Sequence, residues 1–208
     1  MRCWVHGAYA TKNSFNYLKT QMDLDNDVFI EYKSDSDLID VLNEIRKKLQ
    51  AYIDAGEEID LIGHSLGGVL CLILVQTGLK VRSITTLSAP FGGITNHFLL
   101  RFWFPKSIYT EFHKLEEKYM HLIEMPVKIP YRFFVSTKGK NPLFLGKEND
   151  GVVTVEAQTF LDEVEYFEVD LNHYEILMDQ ETAFRIRNFH RSLSNNHSNH
   201  IKQKKKNM

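Results

Sequence analysis

Between the apolar stretch Ile59-Asp60-Leu61-Ile62 and the unbroken apolar run Val69-Leu70-Cys71-Leu72-Ile73-Leu74-Val75 stands Gly63-His64-Ser65-Leu66-Gly67-Gly68. A strand must turn into a buried helix within these few residues. Glycines two positions before and after Ser65 remove side chains that would collide in so tight a turn. A serine held there projects its hydroxyl away from the sheet. The free N–H groups of the helix that starts at Ser65 point to the same spot. Ser65 is therefore a candidate nucleophile, and the Leu66 N–H would help hold an oxyanion formed when Ser65 attacks a carbonyl. A G-x-S-x-G match alone arises by chance in many proteins; the strand before it and the buried helix after it give this one weight.

The rest of the chain alternates between strand and helix signals. Arg2 to His6 reads as a strand that begins almost at the first residue, and Phe15, Leu18 and Met22 recur at helical spacing over Ser14 to Met22. Val28 to Tyr32 is the next strand. Leu38, Val41, Leu42, Ile45, Leu49, Tyr52 and Ile53 then share one face of a helix over about residues 35 to 55, which has acids in its first turn and Gly56 as its stop. Val81 to Leu87, Tyr131 to Val135 and Val164 to Val169 read as further strands, and an amphipathic helix follows near Gln180 to Leu193. This order predicts an α/β fold: a mostly parallel sheet with helices on both faces, and functional loops at the carboxyl ends of the strands.

Four short motifs carry a family resemblance that covers roughly residues 1 to 193. Gly63-His64-Ser65-Leu66-Gly67-Gly68 resembles the nucleophile turn of the α/β-hydrolase superfamily, in the form common among lipases and lipase-like esterases. His6-Gly7-Ala8-Tyr9 resembles the His-Gly loop after the first parallel strand of lipases. That likeness makes the Ala8 N–H the second oxyanion donor and sets Tyr9 beside the substrate. Asn149-Asp150-Gly151-Val152-Val153 resembles the lipase acid loop and implies Asp150 as the acid. No carboxylate lies in Ser88-Ala89-Pro90-Phe91-Gly92-Gly93, where some family members place theirs. His173 stands at the end of the last strand, where the superfamily puts its base. Of the other histidines (6, 64, 97, 113, 121, 190, 197 and 200), none follows the acid loop at a strand end. The order Ser65, Asp150, His173 is also the superfamily's order. With no room for strands before Arg2, the expected architecture is a minimal α/β-hydrolase fold.

Residues 94 to 125 are too aromatic for an exposed connection: Phe98 to Phe104 includes Phe102 and Trp103, and Ile108, Phe112, Leu115, Tyr119 and Leu122 follow at helical spacing. The resemblance implies a helical cap or lid here, with Phe102 and Trp103 against a hydrophobic substrate. The plain alternative is a pair of helices packed on the core. From residue 194 the chain turns to Asn, Ser, His and Lys, which predicts a disordered basic tail. Its lysines leave room for peripheral contact with anionic lipid or nucleic acid, although a solvated tail is the simpler expectation.

Composition limits the function classes. A formal charge of −2 gives no basic footprint for nucleic acid, and there is no apolar stretch long enough to span a membrane. No histidine and cysteine spacing suggests a metal, and no organic cofactor is implied. Cys3 falls in a strand and Cys71 in a buried helix, so a disulfide framework is not expected. With no export signal before His6, the expected setting is cytoplasmic.

These residues together imply a serine hydrolase that cleaves carboxylic esters of lipid or other hydrophobic acyl groups through a Ser-His-Asp triad. A thioesterase, or a deacylase of lipidated or glycolipid targets, is the alternative within enzymes. From other classes, a non-catalytic hydrolase-like binding module and a partner-binding surface over residues 94 to 125 are the competing readings.

Overall fold

The computed structural model of the chain describes residues 1–22, 27–34, 36–93, 106–124, 126–144 and 146–206, and for residues 106–109 and 196–206 the backbone alone. Six strands form one sheet: β1 (Arg2–Val5), β2 (Asp27–Ile30), β3 (Asp60–His64), β4 (Ser83–Leu87), β5 (Tyr131–Ser136) and β6 (Tyr166–Val169). All neighbours pair in parallel, in the order β2-β1-β3-β4-β5-β6. The chain leaves β1 toward one edge, returns past it, and builds the other edge from β3 onward. The direction of building thus reverses between β1 and β3, where an open parallel sheet leaves a crevice at its carboxyl end. The His6-Gly7 loop and the Ser65 turn follow these two strands.

Alternation along the strands divides the core between two faces. Cys3, Val5, Leu61, Ile84 and Phe133 join one buried cluster with residues of α2 (Leu38–Asp54), α3 (Leu66–Gln76) and α4 (Lys106–Ile123). Trp4, Ile62, Leu87 and Phe134 join the other, with Leu18 of α1 (Asn16–Thr20) and with Ala183 and Ile186 of α6 (Gln180–Lys206). The helices therefore cover both faces, as the alternating pattern predicts. Every residue of α3 from Leu66 to Leu74 is buried. Each large aliphatic side chain there contributes about 1.5–3 kcal/mol by leaving water, which ties the Ser65 turn to the most deeply buried helix.

Local signals set the boundaries. Asp37 caps α2, its Oδ1 accepting from the Ile39 N–H at 2.9 Å and the Asp40 N–H at 3.3 Å. Gly56 leaves the helix at φ 88°. The single helix expected over Ser14 to Met22 is instead a 3-10 turn, Lys12–Phe15, capped by Thr11, followed by the short α1. The side-chain cap holds the chain in the tighter turn before the α-helix starts. Phe15, Leu18 and Met22 are buried all the same.

Where a disordered tail is expected from residue 194, the backbone continues as helix to Lys206. The segment Gln180–Lys206 contains neither Gly nor Pro, so nothing local stops the helix where its apolar face ends. In the expected cap, residues 94–105, with Phe102 and Trp103, lie outside the described residues. The following α4 packs against α2 and α3, and Phe112, Leu115 and Ile123 are buried in their cluster. This part is an integral layer of the domain. Cys3 and Cys71 are both buried free thiols, and among the described residues no helix is long and apolar enough to cross a membrane.

Candidate active site

The turn after β3 is as tight as its glycines suggest. A Cβ on Gly63 would stand 2.5 Å from the Gly67 carbonyl oxygen, and one on Gly67 would stand 2.5 Å from the His6 carbonyl oxygen and closer still to that of Val5. One on Gly68 would meet the Ala89 Cβ at 2.6 Å. The helix thus rests directly on the ends of β1 and β4. Ser65 occupies φ 53°, ψ −126°, a conformation that costs a non-glycine residue about 1–3 kcal/mol and persists only where its surroundings enforce it. Here the enforcement comes from the Ser65 N–H bonded to the Leu87 carbonyl at 2.9 Å and from the buried helix behind. The Ser65 hydroxyl makes no capping bond to α3.

The loop after β1 is built around His6. The Tyr32 N–H donates to His6 Nε2 at 3.2 Å, so the ring proton sits on Nδ1, which donates to the Gly7 carbonyl at 2.8 Å. The rings of His6 and Tyr32 stack with centroids 4.3 Å apart, and the Tyr32 hydroxyl donates to the His6 carbonyl at 2.8 Å. Burial lowers the pKa of His6, which keeps the ring neutral and Nε2 available as an acceptor. In a trans peptide the C=O and N–H point in opposite directions. Holding the Gly7 carbonyl therefore turns the Ala8 N–H the other way. Among the described residues neither the Ala8 nor the Leu66 N–H has an acceptor.

Asp150 and His173 meet behind this turn. His173 Nδ1 lies 2.7 Å from Asp150 Oδ2, and both residues are almost wholly buried. Asn149 shapes the acid loop, its Oδ1 accepting from the Gly151 N–H at 2.9 Å, and Gly151 supplies the positive φ of 97°. Backbone bonds tie the loop to the base, with the His173 N–H donating to the Asp150 carbonyl at 3.0 Å. Asn172 caps the turn after β6 by accepting from the Tyr174 and Glu175 N–H groups at 2.9 and 2.8 Å. Burial alone would raise the Asp150 pKa. The hydrogen bond and charge of His173, together with the Val153 and Val152 N–H groups, outweigh it and hold the carboxyl below its ordinary value.

One cavity joins these parts, lined by Gly7, Ala8, Ser65, Leu66 and His173, with Pro90, Phe112, Val152 and Val153 as its apolar walls. Of the residues expected at a site, Ser65, Leu66, Ala8 and His173 thus converge, and Asp150 stands behind His173. Ser65 and His173 share the cavity without a hydrogen bond between them, a link that is often loose before substrate binds. Tyr9 does not join them. It is 53% exposed, its N–H donates to the Ser34 Oγ at 2.8 Å, and the cavity wall is formed by its neighbours Ala8 and Ala10 instead.

Three residues around the site escape a sequence reading. His64 Nε2 must donate to the His173 carbonyl at 2.9 Å, which bolts the base loop to the nucleophile turn. Its pKa falls to about 3 through burial and the neighbouring His173. Ser136 and Gln158 both reach the Asp150 carboxylate. Only His64 carried a hint, by its place in the turn.

No protein-family model and no curated protein matches the sequence. Solved structures do match. Bacillus licheniformis lipase BlEst2 in its mature form is similar over 92% of this chain and 91% of that one, at 20% identity and a TM-score of 0.66. The chain has the α/β-hydrolase fold. The same hydrolase fold aligns over its whole length with phospholipase PlaB from Legionella pneumophila, spanning 64% of that chain at 15% identity and a TM-score of 0.64. It also matches a lipase-esterase related protein from Clostridium acetobutylicum over 90% of this chain and 93% of that one, at 16% identity and a TM-score of 0.59.

Proposed function

We propose that this α/β-hydrolase is a serine hydrolase that cleaves carboxylic esters of hydrophobic acyl groups. The observation that carries the reading is the buried 2.7 Å contact between His173 Nδ1 and Asp150 Oδ2, on a cavity that also exposes Ser65 in its strained turn. Ser65 attacks the acyl carbonyl as His173 Nε2 takes its proton. Asp150 keeps the His173 proton on Nδ1 and stabilises the imidazolium that forms. The oxyanion is held by the N–H groups of Leu66 and Ala8, a pair whose single loss typically costs about a hundredfold or more in rate. His173 then protonates the leaving group, and water releases the acyl group by the reverse path.

The apolar walls Pro90, Phe112, Val152 and Val153 support an acyl group as the part bound beside Ser65. Lipase and phospholipase structures among the similar folds support the same choice. In this reading residues 1–193 form the catalytic domain, α4 brings Phe112 of the 94–125 segment to the wall beside Ser65, and the lysine-rich end is a basic tail.

A fluorophosphonate probe tests the proposal. It should label the wild type at Ser65 and leave Ser65→Ala unlabelled, and nitrophenyl esters of increasing chain length should be turned over by the wild type alone. A folded wild type that neither takes the probe nor hydrolyses any ester or acyl thioester would refute it and favour a binding module. Faster turnover of acyl thioesters than of the matched esters would move the assignment to a thioesterase.

A further inference from the structure

The Asp150 carboxylate is held by more donors than it has lone-pair sites. Oδ1 accepts from the Val153 N–H at 2.7 Å and the Val152 N–H at 2.9 Å. Oδ2 accepts from His173 Nδ1 at 2.7 Å, the Ser136 hydroxyl at 2.8 Å and Gln158 Nε2 at 3.2 Å. A carboxylate offers about four acceptor positions, so five donors leave none at which a proton can settle without displacing one of them.

Two of the five are side chains with no part in the triad, Ser136 and Gln158, and their directions are fixed. The Gln158 amide faces the backbone of Ser136. Its Oε1 accepts from the Ser136 N–H at 3.0 Å, and Nε2 donates to the Ser136 carbonyl at 2.9 Å as well as to Asp150. A flipped amide would set donor against donor and oxygen against two oxygens, so only this orientation fits. Ser136 spends its proton on Asp150. Ser88, whose Oγ lies 2.5 Å from that of Ser136, must therefore donate to it. Ser88 follows β4 at φ 52°, a strained conformation for a residue other than glycine. Ser88, Ser136, Asp150 and Gln158 are all almost wholly buried. The last residue of β5, the acid loop and α5 (Val155–Gln158) are thereby locked together around one carboxylate.

We infer that Gln158, with Ser136, is a positioning residue for the acid: it holds Asp150 ionised and its Oδ2 aimed at His173, and so sets the acid limit of the reaction. The inference rests on reading Asp150 as the acid of the triad. With Gln158 gone, the charge on Oδ2 is shared among fewer donors, so the carboxyl takes up a proton at higher pH. That moves the acid limb of the pH–rate profile upward.

The test compares Gln158→Met, which keeps the volume and removes the amide, with Gln158→Glu, which keeps the shape. In Gln158→Met the carbon-13 carboxyl resonance of Asp150 should titrate about half to one pH unit higher than in the wild type. The acid limb of kcat/KM should move the same way, kcat should fall about tenfold, and KM should stay within about twofold. Gln158→Glu should keep much of its activity while the introduced carboxyl is protonated, because its O–H stands in for the amide. It should lose activity at higher pH, where two adjacent carboxylates cannot both stay ionised without repulsion. If Gln158→Met fails to fold, Ser136→Ala removes another Oδ2 donor and should shift the Asp150 resonance in the same direction.

The idea is overturned if the Asp150 titration and the acid limb stay at their wild-type positions while only stability or overall rate falls. The carboxyl titration needs no turnover. A wild type inert to the fluorophosphonate probe would sink the proposed function and leave this test standing.

Discussion

Two histidines buried as neutral rings make the folded state sensitive to mild acid. His64 is 2% exposed and His190 5%, and burial is the largest cause of their lowered pKa values, about 3 and about 4, against 6.5 for an ordinary histidine. Above pH 6.5 the rings are neutral in both the folded and the unfolded chain and contribute nothing to the pH dependence. Below it the unfolded chain binds protons that the folded one refuses, so stability falls with pH down toward the folded values. At about pH 5 each ring costs about 2 kcal/mol relative to neutral pH, and the pair about 4 kcal/mol. Such a loss is a large fraction of the 5–15 kcal/mol typical of a domain. Burial lowers the pKa of His6 too, which adds in the same direction. The carboxylates held below their ordinary value of 3.8, Asp60 and Asp150, act only at lower pH and leave this window clear. The measurement is urea unfolding followed by circular dichroism at about pH 7 and about pH 5, for the wild type and for His190→Gln, which keeps a polar contact with Thr85 and cannot titrate. The wild type should lose about 4 kcal/mol or more between the two conditions, and the variant about 2 kcal/mol less than the wild type. An equal loss in both, or no loss in the wild type, would refute the assignment of the acid sensitivity to these buried rings.

Further perturbations test the frame around the site. Gly67→Ala drives a Cβ into the carbonyls of Val5 and His6, which are backbone and cannot swing aside, so it should destabilise by about 3 kcal/mol or more in the same unfolding assay. A melting temperature unchanged from wild type would show that α3 does not rest on the end of β1. Asp60 is buried and accepts from Arg82 and from the Ser83 hydroxyl, the latter at 2.6 Å. Because Arg82 retains 21% exposure, Asp60→Asn should cost about 2–3 kcal/mol, less than breaking a fully buried pair, with the active-site probe still reacting. His6→Phe keeps a ring against Tyr32 but releases the Gly7 carbonyl and with it the orientation of the Ala8 N–H. Its kcat should fall about tenfold or more with KM within about twofold, and an unchanged kcat would remove Ala8 from the oxyanion site.

How far the sequence reached differs from element to element. Strands came through because alternation has a period of two and survives in a short window: Trp4 and Val5 fall on opposite faces as the pattern requires. The Ser65 turn came through because its constraint is local, written in glycines that no larger residue can replace. Asp150 and His173 were found by their likeness to motifs and their order in the chain. The contact between them spans 23 positions, and no periodicity reports a distance of that kind. Ser136 and Gln158 gave no signal at all. A polar residue at a strand end and another closing a short helix are ordinary in isolation, and become partners of a carboxylate only when β5 and the acid loop are brought side by side.

Steric and hydrophobic preferences among near neighbours suffice for the alternation of strands and helices, the burial of α3 and the tightness of the serine turn. Tertiary structure decided the ending of the chain as continued helix, the placing of Tyr9 outside the cavity, and the packing of α4 as a core layer. It also decided which buried donors surround Asp150. Those outcomes turn on which strand ends the crossovers bring together, a property of the folded sheet that no run of neighbouring residues contains.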